Sequence, residues 1–148
     1  MPGRHDGCFN ALPDLQVVFD YEGDGSGIPD PANVQHAYEL IGTLEQPQAR
    51  IHSTYVWITE VAEETPWVAE HVHDYDEVLI WTGSDPSDPR DLGATLRMVV
   101  DGEEHIVTRS GSVYIPAGTP HCPLDFIEVR RPFTFSALSL APEYAARR

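Results

Sequence analysis

The chain has 148 residues, a length that suits one domain, residues 1–148, with a sizeable core. Nine Lys and Arg against 24 Asp and Glu leave a formal net charge of -15, which repels phosphate backbones and anionic membrane surfaces. That balance argues against nucleic acid or a membrane as partner; with no apolar run of spanning length and no apolar segment within Met1 to Gly7, a cytoplasmic protein is expected.

Residues 1–14 read as a mobile tail, followed by a short strand at Leu15 to Phe19 and a turn-rich connection from Asp20 to Asn33. Val34 to Leu44 fits either a strand or a short helix. Ile51 to Val61 alternates as a strand, with Ile51, Ser53, Tyr55 and Trp57 on one face and His52, Thr54, Val56 and Ile58 on the other, and parity does not say which faces inward. Glu63 to Pro66 breaks the run before Trp67 to Glu70 leads into His71. A strand from Glu77 to Trp81 follows, then a polar, Pro-rich loop from Ser84 to Gly93, either a cover for a pocket mouth or a plain surface connection.

Ala94 to Val100 and Glu103 to Arg109 flank Asp101-Gly102, the signature of a two-residue hairpin. Its register puts Leu96, Met98, Val100, His105 and Val107 on one face, and His105 is read there as a packed histidine outside any site. Ser112 to Ile115 is a further short strand, and Arg130 to Leu140, with Phe133, Phe135 and Ala137 alternating, is the closing one. His5 and His36 read as solvated, and Arg147-Arg148 as a frayed end. The two cysteines, Cys8 and Cys122, suggest no disulfide framework, and Cys122 reads as a small packed residue. Many short strands with Gly and Pro turns imply an all-β, double-sheet barrel.

The chemistry concentrates between His71 and His121. On a strand, side chains at i and i+2 leave the same face, so His71 and His73 aim two imidazoles at one point. A reversal over Asp74 to Asp76 would let Glu77 return a carboxylate to that point, and the rigid Pro116 to Pro120 turn fixes the direction of His121. This reads as a metal site.

The pattern resembles the cupin superfamily, whose first motif falls on His71, His73, Glu77 and Gly83 and whose second falls on Gly111, Pro116, Gly118, His121 and Asp125. Thr65 stands where the first motif opens with Gly, the Glu77–Gly83 and Gly111–Pro116 spacings are each one residue short, and Asp125 replaces Asn. The resemblance covers about residues 51–140. It implies a jelly-roll barrel, or double-stranded β-helix, with His71, His73, Glu77 and His121 as metal ligands, and often a homodimer.

Three imidazoles and a carboxylate do not form the oxygen cage of Ca²⁺ or Mg²⁺, and the lack of thiolate ligands argues against an iron–sulfur cluster. One divalent transition metal is expected, with Fe(II) favoured and Zn, Mn, Ni, Co or Cu as alternatives. Four protein ligands in an octahedron leave two open positions, enough for a bidentate small-molecule substrate or for substrate plus O₂. The first functional expectation is therefore an Fe(II)/O₂ oxygenase, with a pocket lined by groups such as Trp81 and Tyr114. The alternatives are a non-redox lyase, isomerase or cyclase, and a small-ligand-binding or sensing barrel without turnover. The strand around Val17 to Phe19 is the expected dimer contact.

Overall fold

The computed structural model describes residues 3–12, 38–59 and 68–145. The strand and dimer contact expected around Val17 to Phe19, the connection through Asn33 and the interruption of the strand pattern expected at Glu63 to Pro66 lie outside these residues. Eight strands follow one another: β1 (Tyr38–Ile41), β2 (His52–Ile58), β3 (Glu77–Gly83), β4 (Asp91–Val100), β5 (Glu103–Arg109), β6 (Gly111–Ile115), β7 (His121–Val129) and β8 (Phe133–Ser139). The helical structure among the described residues is one 3-10 turn, Asp6–Cys8, near which Gln46 Nε2 donates to Gly7 O at 2.6 Å and Asn10 Oδ1 at 2.8 Å. No described helix is long and apolar enough to cross a membrane.

The strands form two antiparallel sheets, one ordered β1-β2-β8-β3-β6 and the other β5-β4-β7. Their facing sides bury Val56 and Ile58 from β2, Leu79 and Trp81 from β3, Leu96 and Met98 from β4, Leu124 and Phe126 from β7, and Phe133 and Phe135 from β8. The open parity of β2 is thereby decided. His52, Thr54, Val56 and Ile58 face inward, because Val56 and Ile58 can contribute apolar area to the core only on that face.

The ambiguous segment from Val34 to Leu44 contains a strand, β1, paired with β2. β4 begins at Asp91, so the Pro-rich loop is shorter than its composition suggested. Gly93 at φ +74 lies where the β4–β5 register shifts, between Asp91 and Leu96, and a bulge there accommodates polar, Gly-containing sequence inside a strand. β7 has no counterpart among the sequence-derived strands. Its register against β4 shifts between Thr95 and Leu96 and again between Met98 and Val100, so its buried residues do not alternate.

The Asp101-Gly102 hairpin forms as expected, both residues having positive φ (48 and 79) and Met98 facing His105 across it. His105 is not packed, however. Its side chain is 52% exposed because β5 is an edge strand, and it borders a cavity of about 380 Å³ shared with Trp81, Met98 and Ser112. The 84–90 loop leaves β3 at Gly83, about 20 Å along the strand from Glu77 by ordinary strand rise, so it does not cover the His71–His121 cluster.

Gly83 closes the first motif for a steric reason: a Cβ there would stand 2.2 Å from the Asp91 carbonyl oxygen, a backbone atom that cannot swing aside. At Gly111 the nearest atom to such a Cβ is Trp81 Nε1 at 3.8 Å, an ordinary contact. Gly83→Ala should therefore lower stability by about 1–3 kcal/mol, and Gly111→Ala by less than about 0.5 kcal/mol, in urea unfolding. Equal midpoints for the two variants would contradict this packing.

Candidate metal centre

His71 and His73 do not sit in a named strand. They belong to an extended segment tied to β7 by isolated bridges, Val68 to Leu124 and His71 to His121. Both backbone hydrogen bonds of the latter pair, His71 N to His121 O and His121 N to His71 O, measure 3.1 Å. Gly118 N donates to His73 O at 2.8 Å, so the Pro116–Pro120 turn is fastened directly to the His-x-His segment. Asp76 ties the same turn from the other side, accepting from Ala117 N at 2.8 Å and from the Tyr114 hydroxyl. These two bonds hold the Asp76 carboxyl below its ordinary range. Glu77 then opens β3, paired with Ile115 on one side and Ser139 on the other.

The result is a cluster of four buried residues, His71, His73, Glu77 and His121, each offering one donor atom within 4.8 Å of the others. His71 Nε2 lies 3.1 Å from His73 Nε2, His73 Nε2 lies 3.3 Å from Glu77 Oε2, and His121 Nε2 lies 3.2 Å from Glu77 Oε1. The opposite ring nitrogens all meet backbone carbonyls: His71 Nδ1 to Ala69 O at 2.8 Å, His73 Nδ1 to Ala145 O at 2.7 Å, His121 Nδ1 to Thr119 O at 2.9 Å. A carbonyl only accepts, so each Nδ1 carries a proton, and in the neutral ring each Nε2 turns a lone pair toward the centre.

Neutral rings so held would set lone pairs against one another at 3.1 Å and against a carboxylate at 3.2 and 3.3 Å, an arrangement that needs a cation or a proton. His121 Nε2 is buried without a hydrogen-bond partner. The residues therefore fit a transition metal: an all-imidazole-and-carboxylate donor set, converging Nε2 atoms and a carbonyl behind every ring.

The groups of the cluster ionise differently. Burial pushes the His71 imidazole down to about 4, keeping it a neutral donor. Burial alone would raise the Glu77 carboxyl, but the His121 and His73 imidazoles beside it hold it down at about 2. For His73, burial works downward and is outweighed by Glu77, then by Ala145 O and Asp74, so its value rises above 6.5.

Other residues near the cluster carried no signal in the sequence pattern. Tyr75 stacks on His73 with centroids 4.8 Å apart, and Tyr144 meets the same ring edge-on at 5.0 Å. His52 and Ser139 are buried in register with Glu77 across β2, β8 and β3, and Glu39 Oε1 lies 3.5 Å from His52 Nε2. Burial lowers the His52 pKa and raises that of Glu39, the latter helped by Glu45. Tyr114, expected to line the pocket, is 55% exposed and braces Asp76 instead, while Trp81 is buried with Nε1 donating to Arg109 O at 2.8 Å. Asp125, at the second motif's Asn position, is buried and accepts from Arg97 Nε at 2.9 Å.

Among solved structures the chain is similar to an oxalate oxidase in complex with the substrate analogue glycolate, with a TM-score of 0.58 and 12% identity over 96% of this chain and 63% of that one. The cupin fold is shown. A conserved protein of unknown function from Streptococcus pyogenes, SPY1581, matches with a TM-score of 0.51 and 15% identity over 92% of this chain and 98% of that one. The polyketide cyclase RemF from Streptomyces resistomycificus matches with a TM-score of 0.51 and 18% identity over 82% of this chain and 75% of that one. No protein-family model and no curated protein matches the sequence. Within this cupin barrel the His-His-Glu-His group is able to hold one metal ion.

Two measurements test the centre. Metal analysis should find about one ion per chain, lost in His73→Ala and His121→Ala and kept in His105→Ala; chelation should lower the melting temperature by about 5–10 °C if metal was present at about 100 times its Kd. Equal metal content in all three variants would remove the assignment. Because a bound metal displaces the His73 proton, affinity should be greatest above the pH at which His73 titrates, which lies above 6.5, and should fall about tenfold per pH unit below it. His71 should add a second competing proton only near pH 4. Calorimetric titrations in buffers of different ionisation enthalpy count those protons, and pH-independent affinity would contradict the arrangement.

Proposed function

We propose that the protein is a mononuclear metal-dependent enzyme acting on a small oxygen-bearing metabolite, and that it works as an Fe(II)-dependent oxygenase. The observation that carries this reading is the donor set, three Nε2 atoms and one carboxylate gathered in a buried cluster before any metal arrives. With one carboxylate against a divalent cation, the centre keeps a net charge of about +1, which favours an anionic oxygen donor such as a carboxylate or enolate as the next ligand. Fe(II) would supply electron transfer between such a substrate and O₂, which Zn(II), with its filled d shell, does not. The oxalate oxidase of similar fold, in complex with glycolate, supports small oxygen acids as the class to test first. Within the chain, Ala69, Thr119 and Ala145 orient the rings by accepting from Nδ1, and Tyr75 packs flat on His73 to keep its ring in place.

A second reading, a non-redox lyase, isomerase or cyclase, is favoured by one observation. The Tyr144 hydroxyl lies 3.4 Å from His71 Nε2, where a group that moves a proton to or from a bound substrate belongs. The polyketide cyclase of similar fold is the comparison that supports it.

The two readings separate on metal and oxygen. Metal-free protein is loaded with Fe(II) or with Zn(II) and assayed against small hydroxy acids, dicarboxylates and enols, with and without O₂. The oxygenase reading expects turnover with O₂ uptake from the iron form alone. Turnover by the zinc form in anaerobic vials would overturn it in favour of the second.

A further inference from the structure

After β8 the chain does not leave the barrel but turns back over its metal-bearing end. Leu140 N donates to Asp76 O at 3.0 Å, Ala145 N donates to the Tyr75 hydroxyl at 3.0 Å, and Ala145 O accepts from His73 Nδ1 at 2.7 Å. Residues 140–145 thus form a strap fastened at both ends to the segment that carries His73 and Glu77. Between those fastenings the strap holds Tyr144, half-buried, with its hydroxyl 3.4 Å from His71 Nε2 and its ring 6.5 Å from that of His52.

The distance discriminates between two roles for that hydroxyl. As a hydrogen bond to nitrogen, 3.4 Å is long, since such bonds cluster at about 2.7–3.2 Å. As the spacing of neighbouring ligands it is ordinary: two atoms each about 2.1 Å from one cation, at an angle between about 90° and 109°, stand about 3.0–3.4 Å apart. The other neighbouring donors are spaced at 3.1, 3.2 and 3.3 Å. The Tyr144 oxygen stands at a comparable spacing from His71 Nε2, the atom of that ring that bears the lone pair. Tyr75, the other tyrosine against His73, accepts from Ala145 N through its hydroxyl.

We propose that Tyr144 is a fifth protein ligand of the metal centre, delivered by the 140–145 strap. The proposal rests on the reading of His71, His73, Glu77 and His121 as a metal site. The oxygen binds as phenolate, its proton passing to solvent as the cation takes its place. With Tyr144 bound, substrate and O₂ together would require its displacement, whereas a single monodentate ligand would not.

The test uses ferric iron, because phenolate bound to Fe(III) gives a charge-transfer band in visible light that imidazole and carboxylate ligands do not. Metal-free full-length protein is loaded with Fe(III) from its nitrilotriacetate complex, freed of excess by gel filtration, and measured for iron content and visible absorbance. The wild type should hold about one iron per chain and be coloured. Tyr144→Phe should hold iron but lose the band, and Tyr75→Phe should keep it. Iron-loaded wild type without a band, or a band that survives in Tyr144→Phe, would overturn the proposal. Loss of the band in Tyr75→Phe with retention in Tyr144→Phe would place the ligand at Tyr75 and overturn it too. Wild type that takes up no iron at all would remove the four-residue centre and the fifth ligand with it, a result distinct from iron bound without colour.

Discussion

The structure depends on a repulsion arranged in advance. Three backbone carbonyls, of Ala69, Thr119 and Ala145, each take the Nδ1 proton of one histidine, and that choice leaves three Nε2 atoms and the Glu77 carboxylate facing one another. Such a cluster is costly to bury, since each polar atom gives up water and gains no donor in return. In the metal-free protein the proton favoured by the His73–Glu77 contact partly relieves this. A cation relieves it more completely, and its binding energy then contributes to the stability of the barrel.

The barrel makes that convergence possible because its parts approach the cluster from different directions. The His71–His73 segment and β7 meet through the His71–His121 bridge, while Glu77 arrives from the other sheet, between β6 and β8. Asp76 joins the two approaches by accepting from both Tyr114 and Ala117, so a carboxylate next to the site holds the loop that positions His121. The apolar core between the sheets, with Phe126, Phe133, Leu96 and Ile58 fully buried, fixes the distance across which the donors meet. The polar row of His52, Ser139 and Glu77 lies on the same inward side, at one end of that core.

The strap gives the centre a dependence on residues remote in sequence. Ala145 is 72 residues from His73, yet its carbonyl sets the tautomer of that ring. Tyr144, one residue before it, is held with its hydroxyl 3.4 Å from His71 Nε2 by the same fastening. The segment that fixes the His73 ring therefore also carries Tyr144, and its hydrogen bonds to Tyr75 and Asp76 tie it to the segment that bears the donors.

The all-β class, the Asp101-Gly102 hairpin and the four clustered residues were legible in the sequence, because local spacing marks each of them and the resemblance to cupin motifs joins the four into one set. Strand parity pairs His71 with His73, a positive-φ turn demands residues such as Asp and Gly, and a Pro-Gly turn aims the histidine that follows it. Tertiary contacts alone set which face of β2 is inside, make β7 a strand despite its broken alternation, and bring Tyr144, Tyr75 and Asp76 beside the cluster while Tyr114 stands exposed against Asp76 and His105 at an exposed sheet edge. Those outcomes depend on contacts between residues remote in sequence, such as His52 with Ser139 and His71 with Tyr144. Local periodicity reports the spacing of side chains along one strand and carries no record of what packs against it.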